Sequence, residues 1–129
     1  MQFMMIVKSC KGEESGPFNP ELMAAIEKSS AELAQKGILL QTGGLYPSSQ
    51  GARVTVNNQK VLVTDGPFAE TKELVGGFAI MELSSKEEAI EMGRHFMQLH
   101  ADILGPSYQG ELEIRELMVP QDHAAIAGR

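Results

Sequence analysis

The stretch from Val61 to Phe78, VLVTDGPFAETKELVGGF, decides how this 129-residue chain is organised. It places turn formers, four charged residues and a glycine pair between two apolar runs. Asp65-Gly66-Pro67 predicts a tight turn, because Asp hydrogen-bonds its own backbone, Gly permits a positive φ and Pro fixes the exit. The polar run that follows is longer than the connection of about two to five residues that two strands commonly need. We therefore interpret the extra length as functional.

Residues 65–73 of this stretch, DGPFAETKE, resemble the signature of the DGPF branch of the YCII-related family. The resemblance continues through an apolar first strand, GARV at 51–54, GGF at 76–78, SKEEAIE at 85–91 and GELEIREL at 110–117. It implies a small dimeric α+β domain, in a family whose members largely have no assigned reaction. Similar members are linked with sigma factors of the extracytoplasmic-function type, which implies a regulatory context.

Length and composition favour one folded domain. A chain of 129 residues with 43% hydrophobic and 22% charged residues lies near the globular average. Its 11 Lys+Arg against 17 Asp+Glu give a net charge of −6, which argues against direct binding to nucleic acid. We expect residues 1–119 to form the domain and residues 120–129, which have no periodicity, to form a mobile tail.

The cysteine content and the first residues bear on the compartment. Cys10 is the only cysteine, so no internal disulfide can form and a reducing compartment is indicated. Residues 1–10, MQFMMIVKSC, have too short an apolar run for a membrane span and lack the features of a signal peptide. We predict a cytoplasmic protein without a membrane partner.

Periodicity and capping signals predict two helices. The first begins at Pro20 after the N-cap Asn19 and ends at Lys36 before Gly37. The second begins at a capping box that either Ser84 with Glu87 or Ser85 with Glu88 could make, and it should fray by residues 99–101. Apolar runs and alternation predict strands at 3–7, 38–41, 53–56, 60–64, 74–83 and 111–118.

This order of elements predicts the fold class: α+β, a ferredoxin-like split βαβ with an inserted β-hairpin. In the hairpin, Asn57 and Asn58 tolerate the positive φ of a tight turn, and Gly76 and Gly77 after it suggest a bulge or a close backbone approach. Both helices would cover one face of an antiparallel sheet, although strands 3–7 and 74–83 are apolar on both faces. The exposed face predicts a homodimer through the sheets, and the family resemblance implies a dimeric α+β barrel.

The candidate site lies in the loop after the turn. Phe68 would anchor the loop, while Glu70 and Lys72 would face a pocket together, as same-side neighbours of an extended segment. With Asp65 they are the candidate catalytic residues, because burial can move a carboxylate and an ammonium toward acid/base function. The alternative is a solvated surface pair, worth less than ~1 kcal/mol.

Further candidate ligand-binding residues are Arg53, Thr71 and His100, the last with Asp102 as an orienting carboxylate. Arg115 is a weaker candidate, because it could simply pair with Glu111 or Glu113. The histidines have no metal-ligand spacing, so we expect no metal. Neither G-x-G-x-x-G nor G-x-x-x-x-G-K-[ST] is present, and we expect no cofactor. In the better studied branch of the family a pocket histidine lies on the first helix. This chain has none from residue 20 to residue 36, so that mechanism is not carried over.

Three functions remain open from the sequence. The first is a small-molecule-binding dimer with an acid/base enzyme site at the DGPFAETKE loop, whose ligand is unknown. The second is a non-catalytic regulatory or interaction module. The third is a stable dimer in which the loop only shapes the contact between subunits. The sequence leaves it undecided whether the protein is an enzyme.

Overall fold

A computed structural model describes residues 1–9, 19–67 and 74–119 of the chain. Cys10, the predicted tail at 120–129 and residues 68–73 of the DGPFAETKE loop lie outside the described residues. In chain order the elements are β1 (Gln2–Ser9), α1 (Pro20–Gln35), β2 (Leu39–Gly44), a 3₁₀ turn (Ser48–Gln50), β3 (Ala52–Asn57), β4 (Lys60–Asp65), β5 (Leu74–Glu82), α2 (Lys86–Leu104) and β6 (Gly110–Glu116).

The strands form two sheets. Four of them make an antiparallel sheet in the order β2-β5-β1-β6, and β3 with β4 makes a separate antiparallel hairpin. The predicted α+β class with a hairpin inserted between β2 and β5 is confirmed, and the strand order is compatible with a ferredoxin-like fold. Among the described helices, neither has the length and apolar character needed to cross a bilayer.

The predicted start and end of α1 are confirmed by its capping geometry. The Asn19 side chain accepts a hydrogen bond from the backbone N–H of Leu22 at 3.0 Å, and Pro20 occupies the first helical position. Gly37, one residue after the C-cap Lys36, has φ of 74°. This left-handed conformation is the usual helix terminator, and glycine adopts it without a steric penalty.

The start of α2 selects one of the two predicted capping registers. The Ser85 hydroxyl accepts a hydrogen bond from the Glu88 backbone N–H at 3.2 Å. The Glu88 carboxylate in turn accepts from the Ser84 backbone N–H at 3.3 Å and from the Ser84 hydroxyl. The second helix therefore begins with the Ser85/Glu88 pair, although the return bond reaches Ser84 rather than the N-cap residue itself.

The predicted end of α2 at residues 99–101 was wrong, because the helix continues to Leu104. Gly105 has φ of 83°, and its backbone N–H donates to the Ala101 carbonyl at 3.1 Å. Glycine thus closes the last turn, as it does after α1. Partial burial of Ile103 and Leu104 accounts for the additional turn.

The hydrophobic core lies between the helices and one face of the four-stranded sheet. In β1 and β5 the pairs Phe3 with Met81 and Met5 with Ala79 face the helices. The buried residues of this core are Phe3, Met5, Met81, Leu83 and Ala89, and the partly buried residues packed against them are Leu33, Ile38, Leu39, Ala79, Met92, Leu112 and Ile114.

The glycine pair of β5 fulfils both predicted roles. Val7 of β1 pairs with Gly77 while Lys8 pairs with Val75, so Gly76 is the extra residue of a β-bulge. A Cβ atom on Gly77 would lie 3.0 Å from the backbone carbonyl oxygen of Gly43 in β2. The bulge and the close backbone approach are therefore both confirmed.

The hairpin turn is displaced by one residue from its predicted position. Positive φ values occur at Asn58 (51°) and Gln59 (67°), and Asn57 pairs with Lys60 across the hairpin. A two-residue loop with both central φ values positive is a type I′ turn, which matches the twist of the flanking strands. The prediction was right for Asn58 and wrong for Asn57, because the ladder continues through Asn57.

The role predicted for Gly66 also needs correction. Gly66 does not have a positive φ, unlike Gly37 and Gly105, so the conformation of the turn does not require glycine there. A Cβ atom at Gly66 would instead lie 1.6 Å from the carbonyl oxygen of Ser48, in the 3₁₀ turn. The Gly66 N–H also donates to the Gly51 carbonyl at 3.0 Å. Gly66 is thus required because another backbone segment lies directly against it.

This contact predicts that Gly66→Ala destabilises the protein, since relieving the clash requires a backbone shift. We expect the free energy of unfolding to fall by about 2 kcal/mol or more, in the upper part of the range for overpacking. Gly51→Ala is a matched control, because Gly51 faces the same Ser48 carbonyl oxygen but its Cβ would lie at an unstrained distance of 3.5 Å. It should change stability by less than ~1 kcal/mol. Urea unfolding followed by circular dichroism measures both, and equal stabilities would contradict the assignment.

Candidate functional site

The first candidate site is the root of the DGPFAETKE loop. Phe68, Glu70, Thr71 and Lys72 lie outside the described residues, so their predicted roles stay predictions. The described part of the root is held by the Gly66 contacts with Ser48 and Gly51 on one side. On the other side β5 begins at Leu74, which pairs with Ser9 of the central strand β1. Both ends of the loop segment 68–73 are therefore fixed by backbone contacts.

Asp65 and Arg53 both lie at the base of the hairpin, but they do not share a face. Asp65 is the exposed last residue of β4 and pairs with Ala52, while the partly buried Arg53 pairs with Thr64. Successive residues of a strand point to opposite faces. Asp65 and Arg53 are therefore close along the ladder on opposite sides of the ribbon, so a ligand bound on one side of the hairpin would meet only one of them.

His100 is packed into an aromatic cluster at the end of α2. Its side chain is 6% exposed, and its Nδ1 lies 3.0 Å from the carbonyl oxygen of Phe96, so Nδ1 carries the donated proton. The ring centroids of Phe96 and Tyr108 lie 4.7 Å and 5.6 Å from that of His100. Asp102 accepts a hydrogen bond from Gln98 at 2.8 Å. These contacts are typical of a structural histidine, and a ligand-binding role for His100 stays a prediction.

The second candidate site is the face of the four-stranded sheet that the helices leave uncovered. Its apolar part consists of Met4, Ile6, Phe78 and Ile80, which alternate with the core residues along β1 and β5. Met4 pairs with Ile80, and Ile6 pairs with Phe78. The Phe78 ring covers Gly43 of β2, since a Cβ at that position would lie 3.2 Å from the ring. We call these four side chains the open-face patch.

A network of charged side chains borders the open-face patch along β6. The Lys8 ammonium lies 2.5 Å from Glu113 Oε1 and 3.8 Å from Glu111 Oε2. The other oxygen of Glu113 accepts a hydrogen bond from Arg115 at 3.1 Å. The simpler prediction for Arg115, that it pairs with Glu111 or Glu113, is therefore confirmed.

The sequence alone does not pair Lys8 with Glu113, which lie 105 positions apart. Lys8 is directly opposite Glu111, and Ile6 is directly opposite Glu113, so these positions share the uncovered face. The alternation of Glu111, Glu113 and Arg115 with apolar residues is typical of a strand with one solvent-facing side. The missing information was the register of β1 against β6, since residues about a hundred positions apart meet here.

Glu113 has an altered acidity in this network. The hydrogen bond from the Lys8 ammonium, followed by that from Arg115, holds the pKa of the Glu113 carboxyl below its ordinary value of 4.5. Both neighbours favour the ionised form. The carboxylate is therefore a permanent negative charge at neutral pH, placed between two cations.

A groove between α2 and β6 lies on the opposite side of the sheet from the open-face patch. It encloses about 350 Å³ and is lined mainly by Ile90, Met97, Leu112 and Ile114. Its one charged lining residue, Arg94, is paired with Glu91 at 3.3 Å. None of the predicted site residues lines it. Within residues 1–9, 19–67 and 74–119, no group of three His, Cys, Asp or Glu side chains is arranged to hold a metal ion.

The lowered pKa of Glu113 predicts a pH-dependent effect of Glu113→Gln. A depressed folded-state pKa stabilises the protein above the ordinary pKa of 4.5, and this contribution is lost as the pH falls through the folded-state value. We expect the variant to be less stable than the wild type at pH 7 and the difference to shrink toward about pH 2. Urea unfolding across this pH range measures it, with Glu116→Gln on the same strand as control. A difference that does not depend on pH would contradict the ion pairing.

Comparison with known proteins gives the family. The YCII-related domain matches residues 1–102, which span β1 through most of α2. An uncharacterised protein of Rhizobium meliloti (strain 1021) is 30% identical over 95 residues, which cover 74% of this chain and 69% of that protein. The matched region contains the open-face residues of β1 and β5 and the root of the loop. The chain therefore belongs to the YCII-related domain family.

Proposed function

We propose that this protein is a small-molecule-binding homodimer of the DGPF branch of its family. In this proposal two copies assemble through the uncovered faces of their four-stranded sheets, as a dimeric α+β barrel. The ligand binds at loop 68–73, where Glu70 and Lys72 supply an acid/base pair. The observation that carries the proposal is the open-face patch, which the fold of one chain buries only in part. The single cysteine is consistent with a cytoplasmic location.

The open-face patch supports assembly because of its place in the sheet. It occupies the two central strands, where Met4, Ile6, Phe78 and Ile80 are only partly buried within one chain. An antiparallel sheet with helices on one face can bury the other face against the same face of a second copy. Such a contact is isologous, which means that both copies use the same surface and are related by a twofold axis.

The charged network beside the patch supports the same arrangement. Two positive and two negative charges lie where β1 pairs with β6, and they belong to Lys8, Glu111, Glu113 and Arg115. A twofold contact needs both signs on the same surface, because the surface meets itself. Charges that are already paired within one chain also lose less free energy when a second copy excludes water from them.

The rigid root of the loop supports a ligand site. Gly66 is fixed against the Ser48 carbonyl, and Leu74 is fixed by β1, so segment 68–73 spans two held ends. An extended conformation there would bring Glu70 and Lys72 to one side. A carboxylate and an ammonium at that spacing suit a polar ligand with both donor and acceptor groups. Phe68 would add an apolar contact, and Asp65 at the end of β4 would add a second carboxylate.

A regulatory interaction module is the second candidate function, and the exposed hairpin favours it. Both strands of the hairpin carry exposed aliphatic side chains. A protein-binding role linked with sigma factors would use such a surface without requiring chemistry at Glu70 or Lys72. The two functions differ in whether a small molecule binds the loop.

The ligand proposal predicts thermal shifts that depend on the loop. A metabolite library should contain at least one compound that raises the melting temperature of the wild type by binding its folded state. Glu70→Gln and Lys72→Met should abolish that shift while retaining the circular dichroism spectrum. Glu27→Gln and Lys28→Met, which change the same residue types on the exposed side of α1, should retain it. Shifts that persist in the loop variants would contradict a site at Glu70 and Lys72.

The assembly proposal predicts a dimer that depends on the open-face patch. Light scattering coupled to size-exclusion chromatography should give twice the 14.0 kDa chain mass at micromolar concentration. Ile80→Lys should shift the protein to monomers, because it places an unpaired charge in the contact. Met23→Lys on α1, where the side chain is already 37% exposed, is the matched control and should stay dimeric. A monomeric wild type, or a dimeric Ile80→Lys variant, would contradict assembly through this face.

A further inference from the structure

One face of the β3–β4 hairpin carries four valines, with the Ala52–Asp65 pair at its base. Val54 pairs with Val63 and Val56 pairs with Val61, so all four side chains point to the same side. Their exposed fractions are 66% for Val54, 72% for Val56, 64% for Val61 and 68% for Val63. The opposite side carries Arg53, Thr55, Leu62 and Thr64 in the alternate positions. We call the four-valine side the valine face.

The rest of the described chain does not cover this ribbon. Every residue of β4 is exposed, and in β3 only Arg53 is partly buried. A two-stranded hairpin by itself is marginally stable at best in water. Its type I′ turn and the contact of Gly66 with Ser48 hold its two ends, but neither removes the valine side chains from water. The hairpin therefore lacks the packing that a stable two-stranded ribbon requires.

We propose that the hairpin is a docking arm whose valine face packs on a second copy of this chain. This inference rests on the homodimer proposed above and adds a contact surface to it. Exposed β-branched residues on both strands need cover whenever the protein is folded. A second copy is the partner that is always present in equal amount to the chain itself.

The charge distribution favours the same partner. The hairpin, residues 52–65, contains two cations, Arg53 and Lys60, and one acidic residue, Asp65, so its net charge is +1. The whole chain has 11 Lys+Arg and 17 Asp+Glu, so the remainder has 9 and 16 and a net charge of −7. A weakly basic arm is therefore attracted to the acidic body of another copy, and complementary potentials favour that encounter.

The size of the valine face indicates an arm that reinforces a larger contact. A stable interface commonly buries about 800 Å² on each partner. Four partly exposed valines offer a patch on the order of a few hundred Å². The valine face is thus too small to sustain a dimer alone, and it acts together with the open-face patch. Since β4 ends at Asp65, docking of the arm also fixes the root of loop 68–73 relative to the second copy.

The test compares two cross-strand pairs in the same hairpin. Val56→Thr with Val61→Thr converts one pair of the valine face into a Thr–Thr pair, which keeps the β-branched shape. Leu62→Thr does the same on the opposite side, where its partner is already Thr55. Sedimentation velocity over a dilution series should show the dimer dissociation constant raised about tenfold or more by the valine pair. The Leu62 variant should stay within about threefold of the wild type.

Cross-linking locates the contact directly. In a Cys10→Ser background, benzophenone maleimide attached at Val56→Cys should give a covalent dimer on illumination, whereas attachment at Thr55→Cys should give far less. A wild type that is dimeric, with no effect of the valine pair and no cross-link from position 56, overturns the arm and leaves assembly through the sheet standing. A dimer that is weakened both by the valine pair and by Ile80→Lys supports the arm acting together with the open-face patch. A dimer that is lost in the valine variant but unaffected by Ile80→Lys contradicts the sheet contact and this joint arrangement. A monomeric wild type overturns both proposals.

Discussion

The structure depends on how its four-stranded sheet is covered. Both helices pack on one face, and the two central strands β1 and β5 carry apolar side chains on both. The helix side gains a buried core around Phe3, Met5 and Met81. The other side keeps Met4, Ile6, Phe78 and Ile80 in the same strands, because alternation along a strand gives each face its own set. Covering the core thus leaves a second apolar surface without an internal partner.

Backbone contacts on both sides of loop 68–73 fix the positions of its two ends. The bulge at Gly76 and the close approach of Gly77 to Gly43 set how β5 leaves the loop and joins its neighbours. The contact between Gly66 and Ser48 sets how the hairpin enters the loop. Both constraints act through the main chain, where a side chain would collide. Loop 68–73 therefore connects two segments that backbone contacts hold in place.

The uncovered face of the sheet combines an apolar centre with a charged border along β6. Lys8 comes from a central strand and Glu113 from an edge strand. Their ion pair lies beside the aliphatic side chains of the open-face patch. Arg115 completes the pairing, so the carboxylate is held between two cations. A surface with an apolar centre and paired charges at one border is suited to a specific contact rather than to indiscriminate association. The hairpin adds a separate apolar surface on a sheet of only two strands.

The sequence by itself determined the elements and much of their local chemistry. The caps at Asn19 and Gly37, the type of fold, the inserted hairpin and the bulge at Gly76 follow from signals within a few residues of each other. The end of α2 and the role of Gly66 were misjudged. The first depended on burial of the last turn and the second on a contact with Ser48, eighteen residues away in a different turn.

The tertiary structure alone decided which distant groups meet. The register of β1 with β6 joins Lys8 to Glu113, and the packing around Phe96 and Tyr108 encloses His100. It also placed Arg53 and Asp65, which are close along the ladder, on opposite faces of the hairpin. Local propensity cannot specify these outcomes, because each depends on the pairing of strands and on the face to which a side chain is turned. For the same reason the sequence could nominate Glu70 and Lys72 as neighbours, while the surfaces around them are set by the whole fold.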